Sequence, residues 1–285
     1  MSGNVSGTLF VVATPIGNLE DLTPRARQTL ANVDLVAAED TRHTGRLLSH
    51  IGCKPRLLAL HDHNEEKLVG RLIKMLLDGK SIALVSDAGT PLVSDPGYRL
   101  VRAAHENGVT VSPIPGASAV TAALSVAGLP TDRFCFEGFA PSKRTARREW
   151  MAALARESRT LVIYESVHRI RASLADMVDM FGADRRAFIG RELTKMHEQC
   201  VQETLASLLE KVTSDSIVEK GEFVVVISGA EEESGSGSGL DIDGLLLELS
   251  QHNPAKDVAK IAARLTGKKR NALYERLLRL KASDT

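Results

Sequence analysis

The chain has 285 residues, 43% of them hydrophobic and 25% charged, and 36 basic residues balance 36 acidic ones. That length has room for about two domains and a sizeable core, and zero net charge excludes a bulk field that would recruit nucleic acid or membrane, leaving polyanion binding to local patches. Cys53, Cys135 and Cys200 lack zinc-ligand or redox-motif spacing, and neither a signal peptide nor an apolar run of membrane-spanning length is evident, so a reduced cytoplasmic protein is expected.

In chain order, Thr8–Ala13 reads as a strand. Thr23-Pro24 then opens a helix, with Thr as N-cap, Pro at the first position, and Ala26, Leu30 and Val33 on one side. Asp34–Ala38 and Arg56–Leu60 read as strands. Asn64 is the expected cap of a helix carrying Leu68, Leu72, Ile73, Leu76 and Leu77, which stops near Gly79. Strand Ser81–Val85, helix Gly97–Asn107 and strand Val109–Pro113 complete a βαβ series, which argues for a mainly parallel sheet.

A small-residue helix, Ala117–Ala127, leads into a second set of strands at Phe134–Gly138, Thr160–Tyr164, Ala187–Arg191 and Glu222–Ser228, with helical segments between them. Glu231–Glu233 and the Ser-Gly repeat Ser234–Gly239 read as a flexible linker; the repeat follows acids, not a strand, so it is no dinucleotide fingerprint. Gly244–Gln251, Ala255–Leu265 and Ala272–Lys281 form an all-helical module. The expected class is α/β: an N-terminal α/β domain over 8–118, a second over 119–230, a linker over 231–241, and a basic helical module over 242–285.

Polar residues gather after four predicted strands: Ala13 to Leu19, Glu39 to Arg42, Ser86 to Gly97, and Ile114 to Ala119. In a parallel sheet the carboxyl ends share one edge, so these loops should converge there. Asp87 and Asp95 add fixed charge to that crevice. No phosphate-binding G-x-x-x-x-G-K-[ST] loop is present, and an acidic site suits a ligand with an ammonium or other positive charge.

Six stretches carry a specific resemblance: Val11 to Leu22, Ala38 to Arg42, Ser86 to Pro91, Pro115 to Ala119, Tyr164 to Arg169 and Arg191 to Lys195. Together they resemble the tetrapyrrole methylase superfamily, and within it the branch that 2′-O-methylates a cytidine of small-subunit (16S) ribosomal RNA. The resemblance runs from Thr8 to Ser228, and more weakly through the last helices. It implies S-adenosylmethionine as methyl donor, in a cleft between the two α/β domains, with no metal. Asp87 and the backbone of Ala88, Gly89, Thr90 and Pro91 would hold the methionine part, with Pro15, Ser118 and Ala119 nearby. Tyr164, Leu193, Gly221 and Glu222 would flank the adenosine. The first loop departs from the Gly-rich, Gly-Asp loop of porphyrin-modifying members and moves the reading toward RNA. A homodimer is implied by the resemblance alone.

Alternatives stand beside each assignment. His61-Asp62-His63 offers a metal pair but no third ligand in register, and a solvated turn or substrate contact competes. Glu39 and Asp40 read as cleft acids, as surface acids, or as the N-cap of a helix beginning near Arg42. Glu165 and Glu192 read as site groups or as salt-bridge partners of Arg42, Arg169, Arg191 or Lys195. Lys143, Arg144, Arg147 and Arg148 open a helix. From Pro254 to Thr285 nine basic residues face three acidic ones, in a pattern that reads as a helix–turn–helix with Gly267 at the turn; the competing reading is a solvated amphipathic bundle.

The function expected is methyl transfer from S-adenosylmethionine to a ribose 2′-hydroxyl of small-subunit ribosomal RNA, free or in the assembled subunit. Asp40 and Glu39 are the first candidates for the proton acceptor, with Glu165 and Lys195 behind them. Arg42, Lys143 and Arg144, and Lys268, Lys269 and Arg270 in the last module, are the candidate RNA contacts. A tetrapyrrole methyltransferase and a non-catalytic RNA-binding adaptor are the competing readings.

Overall fold

The computed structural model describes residues 6–230 and 242–283. The expected linker, 231–241, lies outside them. The chain divides into a compact unit ending at Ala230 and a second comprising the residues after it.

The first half of the larger unit is a five-stranded parallel sheet. Its strands are β1 (Thr8–Val12), β2 (Leu35–Ala38), β3 (Leu57–Ala59), β4 (Ile82–Val85) and β5 (Thr110–Ile114), ordered β3-β2-β4-β1-β5. Every residue of β2 and β4 is buried, as expected of inner strands covered on both faces. Alternate side chains supply two cores. Leu9, Leu35, Ala37, Ile82 and Leu84 pack beneath α3 (Glu65–Leu77) and α4 (Tyr98–Glu106). Val12, Val36, Ala38, Ala83 and Val85 pack against α1 (Pro24–Asn32) and α2 (Thr41–His50).

The helix ends follow local chemistry. Thr23 Oγ1 accepts the Ala26 N–H at 3.1 Å and Pro24 fills the first position of α1. Asn64 precedes α3 without capping it; its side chain instead accepts from His61 N and donates to Ala59 O, tying down the β3 turn. Gly97 has no side chain to cap α4, and the buried Glu65 carboxylate does so from α3, accepting the Leu100 N–H at 3.0 Å.

The second half is a mixed sheet, and here the sequence reading needs correcting. Besides β6 (Phe134–Phe139), β7 (Thr160–Ser166), β8 (Arg186–Arg191) and β10 (Glu222–Ile227), it contains β9 (Gln199–Thr204), a strand the pattern did not reveal. The order is β6-β7-β10-β8-β9, and only β6 and β7 run parallel. Edge strand β9, Gln-Cys-Val-Gln-Glu-Thr, has no fully buried residue, so its pairing leaves little hydrophobic signature. One sheet face packs Leu161, Ile163, Ile189 and Val225 against α6 (Arg144–Leu154), α7 (Ile170–Phe181) and α8 (Leu205–Thr213). The other packs Val162, Phe188, Val224 and Val226 against α5 (Ala119–Val126) and Ile16. Thus α5, which follows the last parallel strand, serves as a wall of the second sheet.

The smaller unit is a three-helix module, α9 (Ile242–Ser250), α10 (Ala255–Thr266) and α11 (Arg270–Ser283), with its own core of Ile242, Leu246, Val258, Ala262, Leu273 and Leu277. Gly267 ends α10 at φ 70°.

Candidate functional site

The four loops at the carboxyl edge of the parallel sheet do meet, and they are stitched together by hydrogen bonds. Thr14 and Gly89 exchange backbone bonds at 2.8 and 3.0 Å, joining the loops after β1 and β4. The Asp40 N–H donates to Asp87 Oδ1 at 3.0 Å, and the Asp87 N–H donates to Glu39 Oε2 at 3.4 Å, bracing β2 to β4. Thr90 Oγ1 donates to Ala117 O at 3.1 Å, bringing in the loop after β5. Beyond them opens a cavity of about 440 Å³, within the range of small-molecule sites.

Its opposite wall comes from the second sheet: Phe139, Tyr164, Glu165 and Glu222 to Val224. Phe139 reaches it through a register shift in β6, where Gly138 lies at φ 68° and a Cβ would stand 3.3 Å from Ser94 Oγ. Tyr164 stacks edge-on between Phe136 and Phe139, with ring centroids 4.9 and 5.4 Å away. Gly89 lies at φ 81°, and a Cβ there would come within 3.3 Å of Ile16. A side chain at Gly89 would therefore strain the backbone and crowd Ile16, and glycine avoids both.

Among the described residues no lysine, arginine or histidine lines this cavity, whereas Glu39, Asp87, Asp95, Glu165 and Glu222 do. Burial raises the Glu39 carboxyl, only partly offset by its bond from Asp87 N, and the neighbouring charges of Asp87, Asp62 and Asp40 add to the shift. Asp95, burial-dominated and facing Glu39 and Asp87, is pushed up to about 6, with the nearby Ser86 hydroxyl opposing the rise. Burial and the nearby Asp95 raise the Tyr164 phenol to about 12.

The sequence candidates fall into two groups. Asp87, Ala88, Gly89, Thr90, Ser118, Ala119, Tyr164, Glu222, Glu39 and Glu165 line the cavity. Pro15, Pro91, Leu193 and Gly221 do not. Pro15 and Pro91 are buried in the loops, Leu193 belongs to the core with Val162 and Phe188, and Gly221 turns at φ 85° against the Glu192 carboxylate.

Three proton-acceptor candidates are already committed elsewhere. Asp40 is the N-cap of α2: its carboxylate accepts the Arg42 N–H at 2.7 Å and the Arg42 guanidinium at 2.6 Å, bonds that hold it far below the usual carboxylate range. Glu165 has a fully buried side chain that accepts from Ser166 N at 2.7 Å and Ser173 Oγ at 2.5 Å, with Arg169 at 3.2 Å. Lys195 bridges Glu192 and Glu222 at 2.9 Å each; burial disfavours its charge, but those two carboxylates outweigh it and raise the ammonium pKa. Asp95 was read from the sequence only as fixed charge in the crevice, not as a proton acceptor. Its signal was a second acid closing the same loop, Ser94-Asp95-Pro96-Gly97, just before a helix.

The basic candidates differ in freedom. Arg42 is 88% exposed and paired with Asp40, and Lys143 is exposed. Arg144, Arg147 and Arg148 converge on one buried carboxylate, Asp176, at 3.0, 2.6 and 3.2 Å, which spends part of that cluster on joining α6 to α7. Lys268, Lys269 and Arg270 cluster at the turn from α10 into α11. His61 and His63 sit edge-to-face at 5.9 Å, and the described residues contain no group of three or more side chains placed to hold a metal. No described helix is long and apolar enough to cross a membrane.

Residues 8–209 match the family described as Tetrapyrrole (Corrin/Porphyrin) Methylases, and residues 236–281 match the RsmI C-terminal HTH domain. Among similar proteins, a "Ribosomal RNA small subunit methyltransferase I" of Xylella fastidiosa is 53% identical over 94% of this chain and 98% of its own length. Another of that name, from Pseudomonas aeruginosa, is 51% identical over 96% and 97%. Solved folds of the same kind include a diphthine synthase (18% identity, TM-score 0.58, 78% of this chain and 90% of the other). A uroporphyrin-III C-methyl transferase from Thermus thermophilus, complexed with S-adenyl homocysteine, also matches (17% identity, TM-score 0.54, 78% and 97%).

Proposed function

This chain belongs to the tetrapyrrole (corrin/porphyrin) methylase family, and from that premise we propose that it methylates ribosomal RNA of the small subunit, at the 2′-hydroxyl of a cytidine ribose. The carrying observation is the match of about half of all residues, over nearly the whole chain, to relatives named for methylation of that RNA. Those relatives share the C-terminal helical module as well as the methylase unit, since 94–96% of this chain is covered.

The cavity fits S-adenosylmethionine on its own chemistry. It combines acidic oxygens with an aromatic wall at Phe139 and Tyr164, which suit respectively an ammonium group and a flat base. Asp87 with Ala88, Gly89 and Thr90 would hold the amino-acid end, and Tyr164, Ala119 and Val224 would flank the adenosine. When bound, the donor supplies an electrophilic methyl group on a positively charged sulfur. This chain's part is alignment, exclusion of water and acceptance of one proton.

With Asp40, Glu165 and Lys195 committed to other partners, that proton falls to a cavity carboxylate that is not neutralised from behind. Arg42, Lys143, Lys269 and Arg270 supply exposed charge for phosphates, with Lys268 half-buried beside the last two; these three stand where helix–turn–helix modules present their contacts.

The test is transfer of labelled methyl from S-adenosylmethionine to free 16S RNA and to small subunits lacking the modification, followed by nuclease mapping and mass spectrometry. A 2′-O-methylcytidine is expected. Label on a base, or on a tetrapyrrole but not RNA, would overturn the reading.

A further inference from the structure

Five acids line one cavity, and their environments divide them. Glu165 is neutralised by Arg169 and the Ser166 and Ser173 donors, and Glu222 by Lys195. Asp87 and Glu39 are loop braces, each accepting a backbone N–H across the β2–β4 gap. Asp95 lies near the Ser86 hydroxyl, which itself donates to the Ala88 carbonyl at 3.3 Å.

Asp95 is presented by a loop whose backbone is held in an uncommon state. Leu92 and Ser94, neither of them glycine, lie at φ 72° and 68°, and the chain then turns at Gly97 into α4. Such positions cost roughly 1–3 kcal/mol each and persist only where surrounding structure enforces them, characteristically at functional sites. The enforcement is visible here. Pro91 is buried, Thr90 is tied to Ala117, and Ser94 abuts the β6 bulge at Gly138. The result places Asp95 facing Tyr164 on β7, between the sheet that braces the cavity and the wall from the second half.

We propose that Asp95 accepts the proton released from the ribose hydroxyl during methyl transfer, an assignment that rests on the function proposed above. The chemistry balances within the site. The hydroxyl oxygen forms its bond to the methyl carbon, the carbon–sulfur bond breaks with its electron pair returning to sulfur, and the hydroxyl proton passes to an Asp95 carboxylate oxygen. One positive charge leaves the sulfur and one arrives at the carboxylate, so the acid-lined cavity keeps its net charge. The proton then escapes to solvent with the products. The groups facing Asp95 are Glu39 from the β2 loop, Asp87 and Ser86 from its own loop, and the Tyr164 phenol from β7. Burial first, and the two acids after it, hold it in the range where a carboxylate is both ionised at neutral pH and basic enough to be useful.

The experiment compares wild type, Asp95→Asn and Glu39→Gln in single-turnover methylation of small-subunit RNA between pH 5 and 9, with donor affinity measured by calorimetry. The wild-type rate should climb with pH through about 6 and then level, as the carboxylate ionises. Asp95→Asn should bind the donor as wild type does, lose about 10²- to 10⁴-fold in rate, and lose that inflection. Glu39→Gln should retain an inflection, moved below the wild-type value because one of the charges that raises Asp95 is gone. If wild type methylates and Asp95→Asn does so at a similar rate, Asp95 is not the acceptor while the proposed function stands. Loss of donor affinity matching the loss of rate would make it a donor-binding group instead. Transfer of the inflection's loss to Glu39→Gln would move the proton there. Failure of wild type itself to methylate this RNA would overturn both readings.

Discussion

Replacing Asp87 by Asn separates two jobs that one carboxylate performs. Its Oδ1 accepts the Asp40 N–H at 3.0 Å, which braces β2 against β4, and its remaining oxygen and its charge face the cavity. Asn keeps an acceptor for Asp40 N and nearly the same shape but removes the charge. A charge-assisted hydrogen bond to an ammonium is worth about 1.5–3 kcal/mol, so donor affinity should fall roughly 10- to 150-fold with little change in stability. Asp87→Ala removes the brace too. It leaves a part-buried N–H without that acceptor, at about 1–3 kcal/mol, or a melting point lower by about 2–12 °C for a unit of this size. A second consequence follows from the charge. Asp87 helps raise Asp95, so in Asp87→Asn the pH inflection of the rate should move below its wild-type value near 6. Calorimetry with S-adenosylhomocysteine and urea unfolding measure the two effects independently. Wild-type affinity in a folded Asp87→Asn would remove this carboxylate from the donor site.

Asp176→Ala should destabilise by about 3–5 kcal/mol, because it strands the Arg147 guanidinium, 4% exposed, in the core; a loss under 1 kcal/mol in urea unfolding would refute the cluster's structural role. Burial would raise the Asp176 pKa, but Arg147, Arg144 and Arg148 lower it below its ordinary value. Its contribution is therefore present above the unfolded pKa of about 3.9 and fades as pH falls through the lower folded value, which acid titration of wild type against the variant will show. Gly89→Ala places a side chain at φ 81° and 3.3 Å from Ile16, costing roughly 1–2 kcal/mol and weakening donor binding; wild-type melting and affinity together would contradict the geometry. A chain ending at Ala230 should keep its melting point and donor affinity, since α9–α11 have a separate core, while its RNA affinity drops with a shallower salt dependence, by about 0.7 in log–log slope per lost single-strand phosphate contact. An identical slope in both forms would leave the basic turn without a role in binding.

The linear pattern determined the elements of the parallel half. Thr23-Pro24 sets the start of α1 by local hydrogen bonding and fixed φ, and the apolar runs of β2 and β4 specify strands buried on both faces, because these signals are carried within a few residues. The convergence of loops followed from the parallel order, and the polar residues after β1, β2, β4 and β5 were legible as a site before any coordinates. What the pattern could not carry was pairing between distant residues. Edge strand β9 exposes too much of both faces to leave a period, so its place beside β8 depends on a partner nearby in space. The roles of the acids were decided in the same way. Asp40, Glu165 and Lys195 read alike with Glu39 and Asp95 as charged residues near strand ends. Only packing gives Asp40 to Arg42, Glu165 to Arg169 and Ser173, and Lys195 to Glu192 and Glu222, leaving Asp95 against a tyrosine from the other sheet. A carboxylate's basicity depends on the charges, donors and solvent within a few ångströms, and those neighbours come from residues tens of positions away.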